Sequence, residues 1–164
     1  MPAYTIEIEH RDTDQVFSYF HGDKMLHFNA TLLARLHKQM PDEFRRITME
    51  LDEQTYGLCM NHRGIEEPKV DRLRPRDLRE PGYGVLFADD GSFTMVDGHH
   101  RFVRRYRAGV RVMDFYVTVE AVWRNCLVEY SPEFDQELAK HMPERATEPE
   151  KFASRVIIHG PERK

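Results

Sequence analysis

Asp97-Gly98-His99-His100-Arg101 brings a carboxylate, two imidazoles and a guanidinium together around one glycine. Upstream, Phe93-Thr94-Met95-Val96 reads as an apolar strand, and a helical pattern follows Arg101. A glycine at a strand-to-helix turn lets the backbone fold tightly. The first amides of the helix then point outward at an anion, and an arginine adds a planar, bidentate positive charge. This chemistry suits phosphate. Adjacent residues on a helix diverge by about 100°, so His99 and His100 are not expected to reach one ligand together, and His99 is the preferred phosphate contact. Asp97 has two open readings: it caps the helix, or it holds a magnesium ion that bridges phosphates. Arg101 is expected on the phosphates, against the alternative of a surface ion pair.

These residues need a frame. The Asp89-Asp90-Gly91 turn joins two β-prone runs, so residues 85–96 read as a hairpin. The helix opened by Gly98 carries Phe102, Val103 and Tyr106 inward and stops at Gly109, and residues 112–119 form a β-prone run. Upstream, Asn29-Ala30-Thr31 starts a helix with Leu32, Leu33, Leu36 and Met40 in its stripe, closed by Pro41. Alternation predicts strands over residues 4–9 and 46–51, and a β-compatible run over residues 55–60 completes a hairpin with the latter. Residues 61–68 read as a connection, and residues 121–129 and 132–141 as short helices. Residues 142–151 are charged and proline-punctuated, while residues 156–158 are suited to dock as an edge strand or partner peptide.

The 164-residue chain is 40% hydrophobic and 32% charged, the composition of a globular protein able to bury a core without staples. The expected organisation is one α+β domain over residues 1–141, with a charged tail over 142–164. Cys59 and Cys126 have no metal-ligand spacing and read as buried thiols, which makes a reducing cytoplasm the default compartment. No apolar run approaches the roughly 18 residues of a membrane helix. The histidines show no His-Glu-x-x-His spacing. A net charge of −4 argues against general charge-driven nucleic-acid binding.

The run from Gly82 to Val110, with Asp97-Gly98-His99-His100-Arg101 between a hairpin and a helix-glycine-strand unit, resembles the core of the ParB/sulfiredoxin superfamily. The resemblance covers about residues 70–120. It implies a small mixed sheet with packed helices over residues 67–130, and residues 1–66 become an N-terminal α/β extension. Sulfiredoxins place a reactive cysteine where this chain has His99, so sulfinic-acid reduction is not expected. The chromosome-partitioning branch carries a second nucleotide motif and a helix-turn-helix domain that this sequence lacks. The free-serine kinases look like Asp-Gly-His-Thr-Arg, which Asp97, Gly98, His99 and Arg101 match, with His100 in place of the threonine.

The nearest branch therefore implies an ATP- or ADP-dependent phosphotransferase, with CTP a further candidate and Mg²⁺ as its ion. Its acceptor would be a hydroxyl on a small molecule or nucleoside. Gly98, His99, His100 and Arg101 hold the phosphates, and Asp97 assists through Mg²⁺. In that branch the catalytic carboxylate lies on an upstream loop, where this chain offers Asp71, Asp77 and Glu80. Asp77 is preferred as the base, while a helix-capping role for it is equally open. Two other readings stand beside this one. The run Arg101, Arg104, Arg105, Arg107 and Arg111, with Arg72, Arg74 and Arg76, would serve a ParB-like nucleic-acid binder or nuclease. A non-catalytic module switched by nucleotide is the third.

Overall fold

The computed structural model describes residues 8–11, 13–21, 24–62, 65–133, 136 and the backbone of 156–158. Among the described residues the first elements form a hairpin, β1 (Val16–His21) and β2 (Lys24–Asn29), in a stretch where the sequence predicts no element. Asn29 then caps α1 (Ala30–Gln39): its Oδ1 accepts the Leu32 amide at 2.8 Å, and Leu32, Leu33 and Leu36 are buried along one stripe. Pro41 stands just past the end of the helix, as expected. β3 (Phe44–Glu50) follows.

Residues 53–62 are helical, not the strand expected over 55–60; they form α2 (Glu53–His62). Asp52 decides this locally, since its Oδ1 accepts the Thr55 amide at 2.7 Å and its carbonyl accepts the Tyr56 amide at 3.0 Å. Thr55 and Cys59, four residues apart, are both fully buried, so the apolar face repeats with helical period. Short helices α3 (Glu67–Asp71) and α4 (Pro75–Leu78) follow in the region that carries the three candidate carboxylates.

The expected hairpin is present as β4 (Gly82–Leu86) and β5 (Phe93–Asp97). At its turn Asp90 Oδ1 accepts the Ser92 amide and Gly91 adopts φ +69°. Next come α5 (His99–Arg107) and β6 (Val112–Thr118). Gly109, at φ +82°, ends the helix with its amide on the Tyr106 carbonyl and the Val110 amide on the Arg105 carbonyl. The helix expected over 121–129 is shorter: α6 (Glu120–Trp123) tightens into a 3₁₀ turn, Arg124–Cys126. Buried Trp123 sets that position by donating from Nε1 to the Leu86 carbonyl at 2.7 Å.

The fold is α+β. A mixed sheet runs in the order β5-β4-β6-β3-β7, where β7 (Val156–Ile158) pairs antiparallel with β3. β4 and β6 are parallel neighbours, so β5 and α5 form the crossover between them. Each face of the sheet carries its own core. One packs Val85, Val96 and Phe44 against α1, the β1-β2 hairpin and Trp123; the other packs Met95, Met113, Phe115 and Val117 against α5 and α2. Cys126 lies in the first and Cys59 in the second, both buried, and burial pushes the Cys126 thiol up to about 12.

Residues 156–158 thus act as an edge strand within the expected tail. The expected strand residues 4–7, most of the expected helix 132–141 and the segment 142–155 lie outside the described residues, and residues 8 and 9 form no regular element. No helix among the described residues is long and apolar enough to cross a membrane.

Candidate functional site

β5 delivers Asp97 to the edge of the sheet, and Gly98 turns the chain into α5 with φ +110° and ψ 9°. Few L side chains tolerate that backbone, so glycine is required. A Cβ on Gly98 would also stand 3.1 Å from Met113 Cε and 3.2 Å from the Cα of Gly82. The Phe102 amide closes the first turn on the Gly98 carbonyl at 2.8 Å. The amides of His99, His100 and Arg101 precede it and have no carbonyl within the helix to bond.

This turn borders a concavity of roughly 200 Å³, lined by Lys69, Leu73, Asp97, Gly98, His100 and Arg101. Arg101 is largely buried, with 13% of its side chain exposed. Its Nη1 donates to the carbonyls of Glu80 and Pro81, both at 3.1 Å, and its Nη2 to Asp97 Oδ2 at 3.4 Å. Those three bonds leave the Nε–H and the second Nη2–H outside them. Arg101 therefore faces a concavity, as expected, and also holds the loop into β4.

The two histidines are placed the opposite way round from the sequence preference: His99 is buried and His100 borders the concavity. The His99 ring lies 5.0 Å from that of Phe17, and the residue shares a stripe with Phe102 and Val103. Nε2 of His100 accepts the Glu66 amide at 3.1 Å. The spacing of 99, 102 and 103 is the i, i+3, i+4 pattern of a buried helix face, and it was the available signal. Lys69 and Leu73 were missed because α3, which carries Lys69, has no motif of its own.

Burial, and then the Lys69 ammonium, holds His100 below its ordinary value near 6.5, against the smaller opposing effects of Glu66 and Asp97. A neutral imidazole is what the Glu66 amide requires, because imidazolium has no acceptor. The folded state resists a proton that the unfolded chain accepts. This contribution to stability is therefore intact above about pH 6.5 and is lost as pH falls through the depressed folded value. We expect denaturant midpoints to drop as pH falls below about 6.5 in the parent protein and to flatten in His100→Asn, compared by urea titration at each pH. Parallel profiles for the two proteins would exclude the effect.

Among the upstream carboxylates, Asp77 caps α4. Its Oδ2 accepts both the amide of Arg74 at 3.0 Å and its Nε at 3.1 Å, and these bonds hold the carboxyl below its usual range. None of Asp71, Asp77 and Glu80 lines the concavity; Asp71 and Glu80 are exposed, and Glu80 Oε2 lies 3.9 Å from Arg101 Nη1. Asp97 borders the concavity with 40% of its side chain exposed.

The arginine run is mostly spent on the fold. Arg105 donates to the carbonyls of Leu78 and Val112; Arg107 forks onto both oxygens of Glu67 at 2.6 and 2.8 Å and onto the Tyr56 hydroxyl. Arg111 donates to the Tyr106 carbonyl and lies over that ring, 4.1 Å from its centre. Arg74 is on Asp77. Arg104 makes no such bond among the described residues. Arg105 and Arg107 thereby pin α3, α4 and β6 to α5, while Arg72, Arg74, Arg76, Arg107 and Arg111 stay exposed.

At this site the chain offers outward helix amides, a partly buried guanidinium, a lysine, a neutral imidazole and one accessible carboxylate. That donor set suits a phosphate group carrying a divalent ion, since Mg²⁺ is commonly held by one or two carboxylates together with the phosphates themselves. Comparison of the chain with protein-family models, with curated proteins and with solved structures found no match.

Proposed function

We propose that this chain binds the phosphates of a nucleotide, ATP or ADP first and CTP as the further candidate, at the start of α5. We further propose that it transfers a phosphoryl group to a hydroxyl on a small molecule or nucleoside. The observation that carries the reading is the convergence of the Gly98 turn, Arg101, Lys69 and His100 on one concavity. The resemblance of Asp97-Gly98-His99-His100-Arg101 to the kinase branch of the ParB/sulfiredoxin superfamily supports it.

A bound nucleotide would supply the phosphoryl group, and Asp97 would hold Mg²⁺, which would offset the phosphate charge. The outward amides of α5 and the Arg101 guanidinium orient the phosphates, and Lys69 adds a point charge at the rim. His100, kept neutral, tightens the wall formed by α3 without adding charge. Of the three upstream carboxylates, Glu80 would accept the acceptor's proton, a role supported only by its lying 3.9 Å from Arg101. Asp77 becomes a capping residue that shapes this loop. The engagement of Arg105, Arg107 and Arg111 within the fold weighs against nucleic acid as the main partner.

Thermal unfolding with ATP, ADP, CTP and GTP, each with and without Mg²⁺, tests the reading. A ligand near 100 times its Kd adds about 2.7 kcal/mol, or roughly 5 °C or more in a chain of this size. We expect ATP or ADP with Mg²⁺ to give that shift. No shift with any of the four at millimolar concentration would remove the nucleotide.

A further inference from the structure

On the far side of the β4-β5 hairpin from α5, His21 at the end of β1 meets Asp89 and Asp90 at the turn. We propose that His21, Asp89 and Asp90 form a second site, one that binds a first-row divalent metal ion, Zn²⁺ in the first instance. This inference is independent of the nucleotide reading.

The imidazole is held in place. The His21 ring stacks on Phe87 with 3.8 Å between centres and 4° between planes, and only 18% of the side chain is exposed. With the ring so fixed, Nε2 points to Asp89, whose two oxygens lie 2.9 and 2.7 Å away, and to Asp90 Oδ2 at 3.8 Å. One atom from each of the three residues can be chosen so that all lie within 4.8 Å of one another. A tetrahedral ion with bonds of about 2.0–2.1 Å keeps its ligand atoms about 3.3 Å apart, and the observed separations bracket that value.

The carboxylates divide their oxygens. Oδ1 of Asp89 accepts the Asp90 amide and Oδ1 of Asp90 accepts the Ser92 amide, both at 2.8 Å. Asp89 nevertheless presents both its oxygens to His21, and Asp90 presents its Oδ2. An ion drawn into this space displaces the proton shared between Nε2 and Asp89 and gains one nitrogen and two oxygen ligands. Solvent completes its shell, because Asp89 and Asp90 are 68% and 42% exposed. Imidazole in the set favours Zn²⁺ and its neighbours over Mg²⁺ and Ca²⁺, which prefer oxygen alone. The ion would clip β1 to the β4-β5 turn, a contact between residues 68 positions apart.

Calorimetric titration of the full chain with ZnCl₂ tests the site, beside His21→Phe and the double variant Asp89→Asn, Asp90→Asn. Phenylalanine keeps the stack on Phe87 and removes the ligand nitrogen; asparagine keeps the turn's Oδ1 acceptors and removes the charge. Circular dichroism confirms that each variant is folded. Since the chain has nine histidines, the readout is the difference between proteins. We expect the parent to bind one equivalent of Zn²⁺ at least tenfold more tightly than either variant, with MgCl₂ failing to compete. Equal zinc binding in all three, or none in the parent, overturns the proposal and leaves His21 and Asp89 as an ion pair. If one variant does not fold, the other decides by the same comparison.

Discussion

Gly98→Ala is expected to cost about 3 kcal/mol of folding stability and to open the anion site with it. Two effects add. A non-glycine residue at φ +110° carries about 1–3 kcal/mol of backbone strain, and overpacking a filled site costs about 1–3 kcal/mol more. The Met113 methyl, 3.1 Å from the new Cβ, is the end of a flexible side chain, although a buried one, whereas the Gly82 Cα at 3.2 Å is backbone. Gly82 itself has nowhere to retreat: a Cβ there would lie 2.5 Å from Phe115 Cε1 and 2.7 Å from the Asp97 carbonyl. The two glycines let β4 and the entrance to α5 touch, and that contact sets where the helix amides point. Gly91→Ala is the control, since φ is also positive there, at +69°, but nothing lies within 4 Å of the added Cβ. Urea denaturation should show a loss of about 1 kcal/mol at Gly91 and about three times that at Gly98. Equal losses would mean that the close approach carries no energy of its own.

The turn, the hairpin and the glycine-terminated helix were legible because their signals are local. Asp89-Asp90-Gly91 specifies a turn, Gly109 a helix end and Asn29 a helix start whatever surrounds them. The placement of the two histidines was not legible for the opposite reason. Which of two neighbours faces the core depends on where the helix is docked, and only the 99, 102, 103 spacing carried that information. Residues 55–60 misled because β-compatible residue types hid a helical repeat at Thr55 and Cys59, with the deciding cap outside the run at Asp52. The hairpin β1-β2 lacks the alternation used elsewhere, and its partners across the fold, Phe87 and Asp89, are remote in sequence. The arginines show the same limit most clearly. Their clustering suggested a surface for phosphates, yet Leu78, Val112, Glu67 and Tyr56 are brought to them only by tertiary packing.

Arg101→Ala is expected to separate into a stability loss of about 2–3 kcal/mol and a loss of phosphate affinity of at least tenfold. Removal of the guanidinium strips charged donors from the Glu80 and Pro81 carbonyls, and each such bond contributes about 1.5–3 kcal/mol before relaxation of the exposed loop returns part of it to water. Asp97 loses its counter-charge at the same time, so the concavity turns from net positive toward neutral. Arg101→Lys distinguishes charge from shape. An ammonium keeps the positive charge but has no planar fork to span two carbonyls and a carboxylate at once. If the site works by net charge, lysine restores most of the affinity for pyrophosphate or nucleotide measured by calorimetry. If it works by fixed geometry, as the three Arg101 bonds indicate, lysine stays within a few-fold of alanine in affinity while recovering little stability. Retention of both stability and affinity in Arg101→Ala would instead leave the helix amides and Lys69 as the whole of the anion site.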